Sequence, residues 1–73
     1  SEEMPNYLLL DVHLHHTNGL EILNQIRKNP KMDRLKIIMT SGQDYSEQSK
    51  LAGADSFLMK PYMPEELISL LKH

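Results

Sequence analysis

No cysteine occurs among the 73 residues, so disulfides and thiolate metal sites are excluded and the redox compartment leaves no mark. Tryptophan is absent too, and aromatic residues amount to 5% of the chain, three Tyr and one Phe. Neither sign of charge dominates: eight basic residues against ten acidic ones leave −2, which gives no electrostatic footprint for nucleic acid. No apolar run approaches the roughly 20 residues needed to span a bilayer, and no signal-peptide pattern is visible. Repeats and low-complexity tracts are missing as well. The expected class is a soluble, cytoplasmic domain with no membrane or direct nucleic-acid partner. A chain this short is at most one small domain. It buries only roughly 60% of the surface its unfolded form exposes, and few stand-alone enzymes are so small.

What is present alternates. Asn6-Tyr7-Leu8-Leu9-Leu10-Asp11-Val12, after Pro5, is a continuous apolar run of the kind found in strands buried on both faces. Asn18, with Glu21 three residues on, reads as a helix start with a capping box. Leu20, Ile22, Leu23 and Ile26 then form an apolar face, and Pro30 ends the helix at or before Asn29. A polar connection, residues 31–34, follows. Leu35–Ser41 is a second strand candidate, β-branched at its centre and closed by Gly42. A short polar helix is predicted over 44–52, burying Tyr45, Leu51 and Ala52, with Gly53 just past its end. Asp55–Lys60 is a third strand, broken by Pro61. Pro64 opens a last helix, with Glu65 and Glu66 at its positive end and Leu67, Ile68, Leu70 and Leu71 as its buried stripe. The order predicts an α/β fold of three parallel strands alternating with three helices.

Open parallel sheets bind ligands outside the carboxyl ends of their strands. The polar residues at those ends are Asp11, Thr40 with Ser41, and Lys60. A carboxylate there can attack a phosphoryl group, a hydroxyl can donate to a phosphoryl oxygen, and a lysine supplies a compact positive charge. The plainest alternative is an ordinary Asp11–Lys60 salt bridge beside a strand-ending serine.

The spacing is more specific. Asp11 followed eight residues later by Gly19, the strand Leu35–Ser41 ending in Thr-Ser-Gly, and Gly53-Ala54-Asp55 through Lys60-Pro61-Tyr62 together resemble response-regulator receiver domains. The similarity runs from about Pro5 to Leu71 and includes Met63-Pro64-Glu65-Glu66-Leu67 at the start of the final helix. It implies a flavodoxin-like, CheY-like fold. It also implies that Asp11 accepts a phosphoryl group from a sensor histidine kinase or phosphotransfer protein. Ser41 would be the hydroxyl that contacts that group, with Thr40 the alternative one register step earlier. Lys60 would be its charge partner, and Lys60–Pro61 a cis peptide. Phe57 would be the switch aromatic that answers Ser41, with a plain core Phe as the other reading. Asp11 and the His13 main-chain carbonyl would belong to a magnesium site, and Tyr62 would pack at the site's edge.

Three departures from that pattern stand out. The chain, residues 1–73, corresponds to the last three strands and last three helices of a domain that runs to about 120 residues. The acidic pair that completes the magnesium site lies outside it, so the expectation is that this length alone binds no magnesium. As a receiver the chain is also expected not to be an enzyme. His15 stands where the family usually has Pro. The stretch from Ser41 to Gly53 is short by about one helical turn. Because an open sheet edge and an uncovered apolar face invite pairing, the alternative reading is a half-flavodoxin module that forms a homodimer or swapped assembly. His13, His15 and His16 beside Asp11 raise a third reading, a transition-metal site, against the plainer one of a solvated loop. Asp44, Glu47 and Lys50 read as a solvated helix face. Ser1 and His73 are given no function.

Overall fold

A computed structural model describes residues 6–72. Ser1, His73 and the Pro5 that precedes the first strand lie outside the described residues. Among the described residues, five strands, three α-helices and one 3-10 turn follow in the order β1 (Tyr7–Asp11), β2 (His13–Leu14), β3 (Thr17–Asn18), α1 (Gly19–Arg27), the 3-10 turn Pro30–Met32, β4 (Lys36–Ser41), α2 (Ser46–Leu51), β5 (Ser56–Met59) and α3 (Pro64–Leu71). The main sheet has the order β1-β4-β5, both pairs parallel, as the alternation predicts. The register sets Asp11 beside Thr40 and Ser41 beside Met59, so the three strands end at one level.

Alternation along each strand divides the sheet into two faces. One face carries Leu8, Leu10, Ile37, Met39 and Phe57. With Val12 it packs on Leu20, Leu23 and Ile26 of α1 and on Tyr45 and Ala52 around α2. The opposite face carries Tyr7, Leu9, Ile38, Thr40 and Leu58. There α3 lies against β5, and the Tyr7 hydroxyl on β1 donates to the Leu70 carbonyl at 3.4 Å.

Local signals account for most element ends. Asn18 has extended backbone, and its Oδ1 accepts the Leu20 amide at 2.9 Å, capping α1. Asn29 does the same for the Lys31 amide at 3.0 Å, so the connection read as merely polar is a 3-10 turn opened by an Asn-Pro pair. Asp44 Oδ1 accepts both the amide and the hydroxyl of Ser46, at 3.0 and 2.6 Å, and starts α2. Gly53, just past α2, has φ of +107°, a conformation that L side chains rarely adopt. The expected loop after Asp11 is instead a two-by-two hairpin, β2–β3, with His15 turning at φ of 50°. Proline is locked near φ of −65°, so the family's usual residue could not take this turn.

Three burial expectations are corrected. Leu9 is 43% exposed, because among the described residues β1 pairs only with β4 and its outer face is incompletely covered. Leu51 is 82% exposed while Ser49 is fully buried. Positions 45, 49 and 52 share one side of a helix, and position 51 lies on the other. On α3, Leu67 and Leu70 are half-buried, whereas Ile68 and Leu71 are exposed at 48% and 38%. Among the described residues no helix is long and apolar enough to cross a membrane.

The Ser49 hydroxyl has no hydrogen-bond partner. A buried unpaired hydroxyl costs about 1–3 kcal/mol, and alanine is the better helix former. Ser49→Ala is therefore expected to raise unfolding stability by about 1 kcal/mol, read as an increase in the urea midpoint at unchanged slope.

Candidate functional site

The carboxyl ends of β1, β4 and β5 bring the three singled-out residues into one bonded group. Lys60 is the hinge of it. Its main-chain amide donates to the Ser41 carbonyl at 2.8 Å, one residue beyond the regular β4–β5 ladder, and its ammonium Nζ donates to Asp11 Oδ2. Asp11 Oδ1 accepts the His13 amide at 2.9 Å, so both carboxylate oxygens are engaged. The Asp11 side chain keeps 21% of its surface accessible, and that of Lys60 keeps 47%.

The loop after Asp11 is held by two main-chain bonds. The Val12 amide donates to the Thr40 carbonyl at 2.9 Å, and the Gly19 amide donates to the Val12 carbonyl at 2.6 Å. Gly19 must be glycine for a reason of space. A Cβ there would lie 2.1 Å from the Asp11 carbonyl oxygen and 2.9 Å from Val12 Cα. The eight-residue interval between the aspartate and this glycine thus places the start of α1 directly against the peptide that carries the carboxylate.

The two hydroxyls that end β4 differ in what they do. Thr40 Oγ1 donates to the Leu58 carbonyl at 2.6 Å, inside the sheet. Ser41 Oγ accepts the Gln43 amide at 3.1 Å, which leaves its own proton for another acceptor. Phe57 is half-buried on the same sheet face as Met39, and it lines a groove of about 560 Å³ between α2 and β5, with Lys50, Leu51 and Ala54. Lys60–Pro61 is cis, and Tyr62 is half-buried.

The Lys60 ammonium, hydrogen-bonded to Asp11, holds the carboxyl below its ordinary value of 3.8. Partial burial opposes this, and the His13 amide and the charge of Lys60 add to it. A carboxylate with a depressed folded pKa stabilises the fold above its unfolded pKa, and that contribution fades as pH falls through the folded value. The pair is partly solvent-accessible, which screens it, so its worth is about 1 kcal/mol or less. Acid titration of stability should show a wild-type loss below about pH 4, and that loss should be reduced in Asp11→Asn.

The histidine-rich hairpin does not gather its rings. His13 meets Tyr45 edge-on, with centroids 5.4 Å apart at 74°, and His15 and His16 are exposed. Among the described residues no group of three His, Asp or Glu side chains is arranged to hold a metal ion, so the transition-metal reading is set aside. The same donor set falls short for magnesium. One carboxylate with both oxygens bonded, plus a main-chain carbonyl at His13, does not make a near-octahedral oxygen site.

A second bonded group lies at the opposite end of β5, around the Gly53-Ala54-Asp55 motif. Arg27 Nε donates to the Gly53 carbonyl at 2.8 Å, Nη2 to Asp55 Oδ2 at 2.8 Å and Nη1 to the Met32 carbonyl at 3.4 Å. Asp55 Oδ2 also accepts the Ile37 amide at 2.8 Å. The signal was Gly53-Ala54-Asp55, whose acidic residue had no assigned partner.

Comparison with known proteins agrees with this architecture. The family model described as response regulator receiver domain matches residues 1–72. The phosphate regulon transcriptional regulatory protein PhoB of Rhizobium meliloti is 35% identical over 74 residues, covering 97% of this chain and 33% of that protein. A response-regulator structure from Chloroflexus aurantiacus superimposes with a TM-score of 0.84 at 30% identity, covering 97% of this chain and 61% of the other. The beryllofluoride-activated receiver domain of DrrB gives a TM-score of 0.80 at 28% identity, covering 97% of this chain and 62% of the other. The chain therefore spans about a third of the curated relative and about three-fifths of these solved structures.

Proposed function

Because the chain belongs to the response regulator receiver domain family of two-component systems, we propose that Asp11 is its phosphoacceptor. The donor would be a phosphohistidine of a sensor kinase or phosphotransfer protein in the cytoplasm. An Asp11 carboxylate oxygen attacks phosphorus, the donor's N–P bond breaks, and the departing imidazole regains a proton. Lys60 then faces the added negative charge, and the Ser41 hydroxyl turns toward a phosphoryl oxygen. Loss of that hydroxyl's present position frees the Phe57 ring to move into the space beside α2. The reading gives this chain a switching role, with no catalytic turnover of its own. A nucleic-acid-binding output would come from other parts of a longer polypeptide, since the chain's own charge is only −2.

The observation that carries the reading is the Lys60 bridge, which bonds Asp11 through its ammonium and Ser41 through its amide at one sheet edge. Carboxylates for magnesium would come from outside the described residues. The test is to add beryllofluoride and magnesium to the complete polypeptide that carries this chain. Amide resonances around Asp11, Ser41 and Phe57 should shift in the wild type and stay fixed in Asp11→Asn. An unresponsive wild type would sink the proposal.

A second reading concerns the chain at this length. Leu9 on the β1 edge is exposed, as are Ile68 and Leu71 on α3. A strand edge with no partner among the described residues, beside exposed Leu9, Ile68 and Leu71, favours pairing with a second copy. Sedimentation at micromolar concentration should then report a dimer, and Leu9→Lys should return it to monomer. A folded wild-type monomer would refute this.

A further inference from the structure

We propose that Arg27 is a positioning residue: by clasping the α2–β5 turn to α1 it fixes the β5 register that delivers Lys60 to Asp11. The proposal rests on reading Asp11 and Lys60 as the reactive pair.

The need for such a device follows from β5 itself. It has four residues, Ser56–Met59, and it is the far strand in the β1-β4-β5 order. So short a strand carries little register information of its own. A slip of one residue moves Lys60 by about 3.3 Å and turns Leu58 from one face to the other. Something at the start of β5 has to fix where the count begins.

Asp55 does this with two bonds to one residue. Its amide donates to the Ile37 carbonyl at 2.9 Å, and its Oδ2 accepts the Ile37 amide at 2.8 Å. The carboxylate thus stands in for a main-chain acceptor one rung before the strand. It can do so only while its orientation is held. Arg27 Nη2 holds that same oxygen at 2.8 Å, and Lys36 Nζ approaches the other at 3.9 Å. The guanidinium fork also takes the Gly53 carbonyl through Nε and the Met32 carbonyl through Nη1, so one planar group ties three chain segments.

The turn is shaped to admit this side chain. A Cβ at Gly53 would lie 2.8 Å from Arg27 Cγ, so the glycine lets the arginine stem cross the turn while supplying the required φ of +107°. The Arg27 side chain is 20% exposed, and Asp55 is 37% exposed. Arg27 touches neither Asp11 nor Lys60 in any hydrogen bond or ion pair of the structure. Its influence runs through Asp55, then β5, then the Lys60 amide on the Ser41 carbonyl.

The experiment compares hydrogen exchange of individual amides in the whole chain, wild type against Arg27→Met, which keeps the aliphatic stem and removes every donor. The Val12 amide, bonded to the Thr40 carbonyl on the other side of β4, is the internal reference for global opening. Relative to Val12, exchange of the Ile37 and Lys60 amides should quicken at least tenfold. The Lys60 Nζ resonance should also move toward its position in Asp11→Asn. Arg27→Lys, which keeps charge without the fork, should restore Ile37 protection only in part. If Arg27→Met does not fold, Asp55→Asn provides the same readout, because it keeps an acceptor for the Ile37 amide and loses the charge that Arg27 holds. Equal acceleration at Val12, Ile37 and Lys60, or an unmoved Lys60 Nζ resonance, overturns the proposal. No phosphodonor is involved, so this result and the beryllofluoride result stand or fall separately.

Discussion

Gly19→Ala is expected to destabilise the fold by about 3 kcal/mol or more, the upper range for forcing an added methyl into packed structure. A chain of this length has a total stability of about 4–11 kcal/mol, so the variant would sit near its unfolding limit. The expectation rests on what the new methyl meets: the Asp11 carbonyl oxygen at 2.1 Å, its carbon at 2.9 Å and Val12 Cα at 2.9 Å. All three are main-chain atoms, so no rotamer change relieves the overlap. Either the start of α1 moves and gives up the 2.6 Å bond from Gly19 to Val12, or the Asp11 peptide rotates and carries the carboxylate off Lys60. Urea unfolding followed by circular dichroism measures the loss. A change below about 1 kcal/mol would mean the two segments can part freely, contrary to the geometry.

This glycine also shows where sequence and structure meet. Its interval from Asp11 was legible as a motif, but the motif did not say why the residue is glycine. The reason is a close approach between segments eight residues apart, which depends on the path of the β2–β3 hairpin between them. That hairpin was not legible, because His13–Asn18 has neither apolar alternation nor a glycine at the turn, and His15 takes the positive φ instead. The three parallel strands were legible because apolar runs bounded by Pro and Gly leave few alternatives. Their burial was less so. Leu9 lies in the same run as Leu10, yet it is 43% exposed against 7%. Pattern alone cannot tell which strand will be the edge. The candidate site was readable because each of its residues ends a strand. The Arg27 network was not, since its acceptors at Met32, Gly53 and Asp55 include two main-chain carbonyls, which no residue type announces.

Leu23→Ala is expected to cost about 3–5 kcal/mol, whereas Leu51→Ala should stay within about 0.5 kcal/mol of wild type. The two leucines look alike in sequence, each on an expected helix. Leu23 is 0% exposed and joins Leu10, Val12, Ile37 and Met39 in one cluster, while Leu51 is 82% exposed. Truncating Leu23 leaves a cavity that β1 and β4 cannot easily close, because their register is fixed by the parallel ladder and by the Val12–Thr40 bond beside it. The consequence reaches beyond stability. Arg27 lies one helical turn beyond Leu23 on α1, so looser docking of this helix also loosens the clasp on Asp55. Chemical denaturation should therefore show Leu23→Ala far less stable than Leu51→Ala. In the folded fraction, the Lys60 amide should lose protection in Leu23→Ala and keep it in Leu51→Ala. Equal protection in both would separate the packing of α1 from the placement of Lys60.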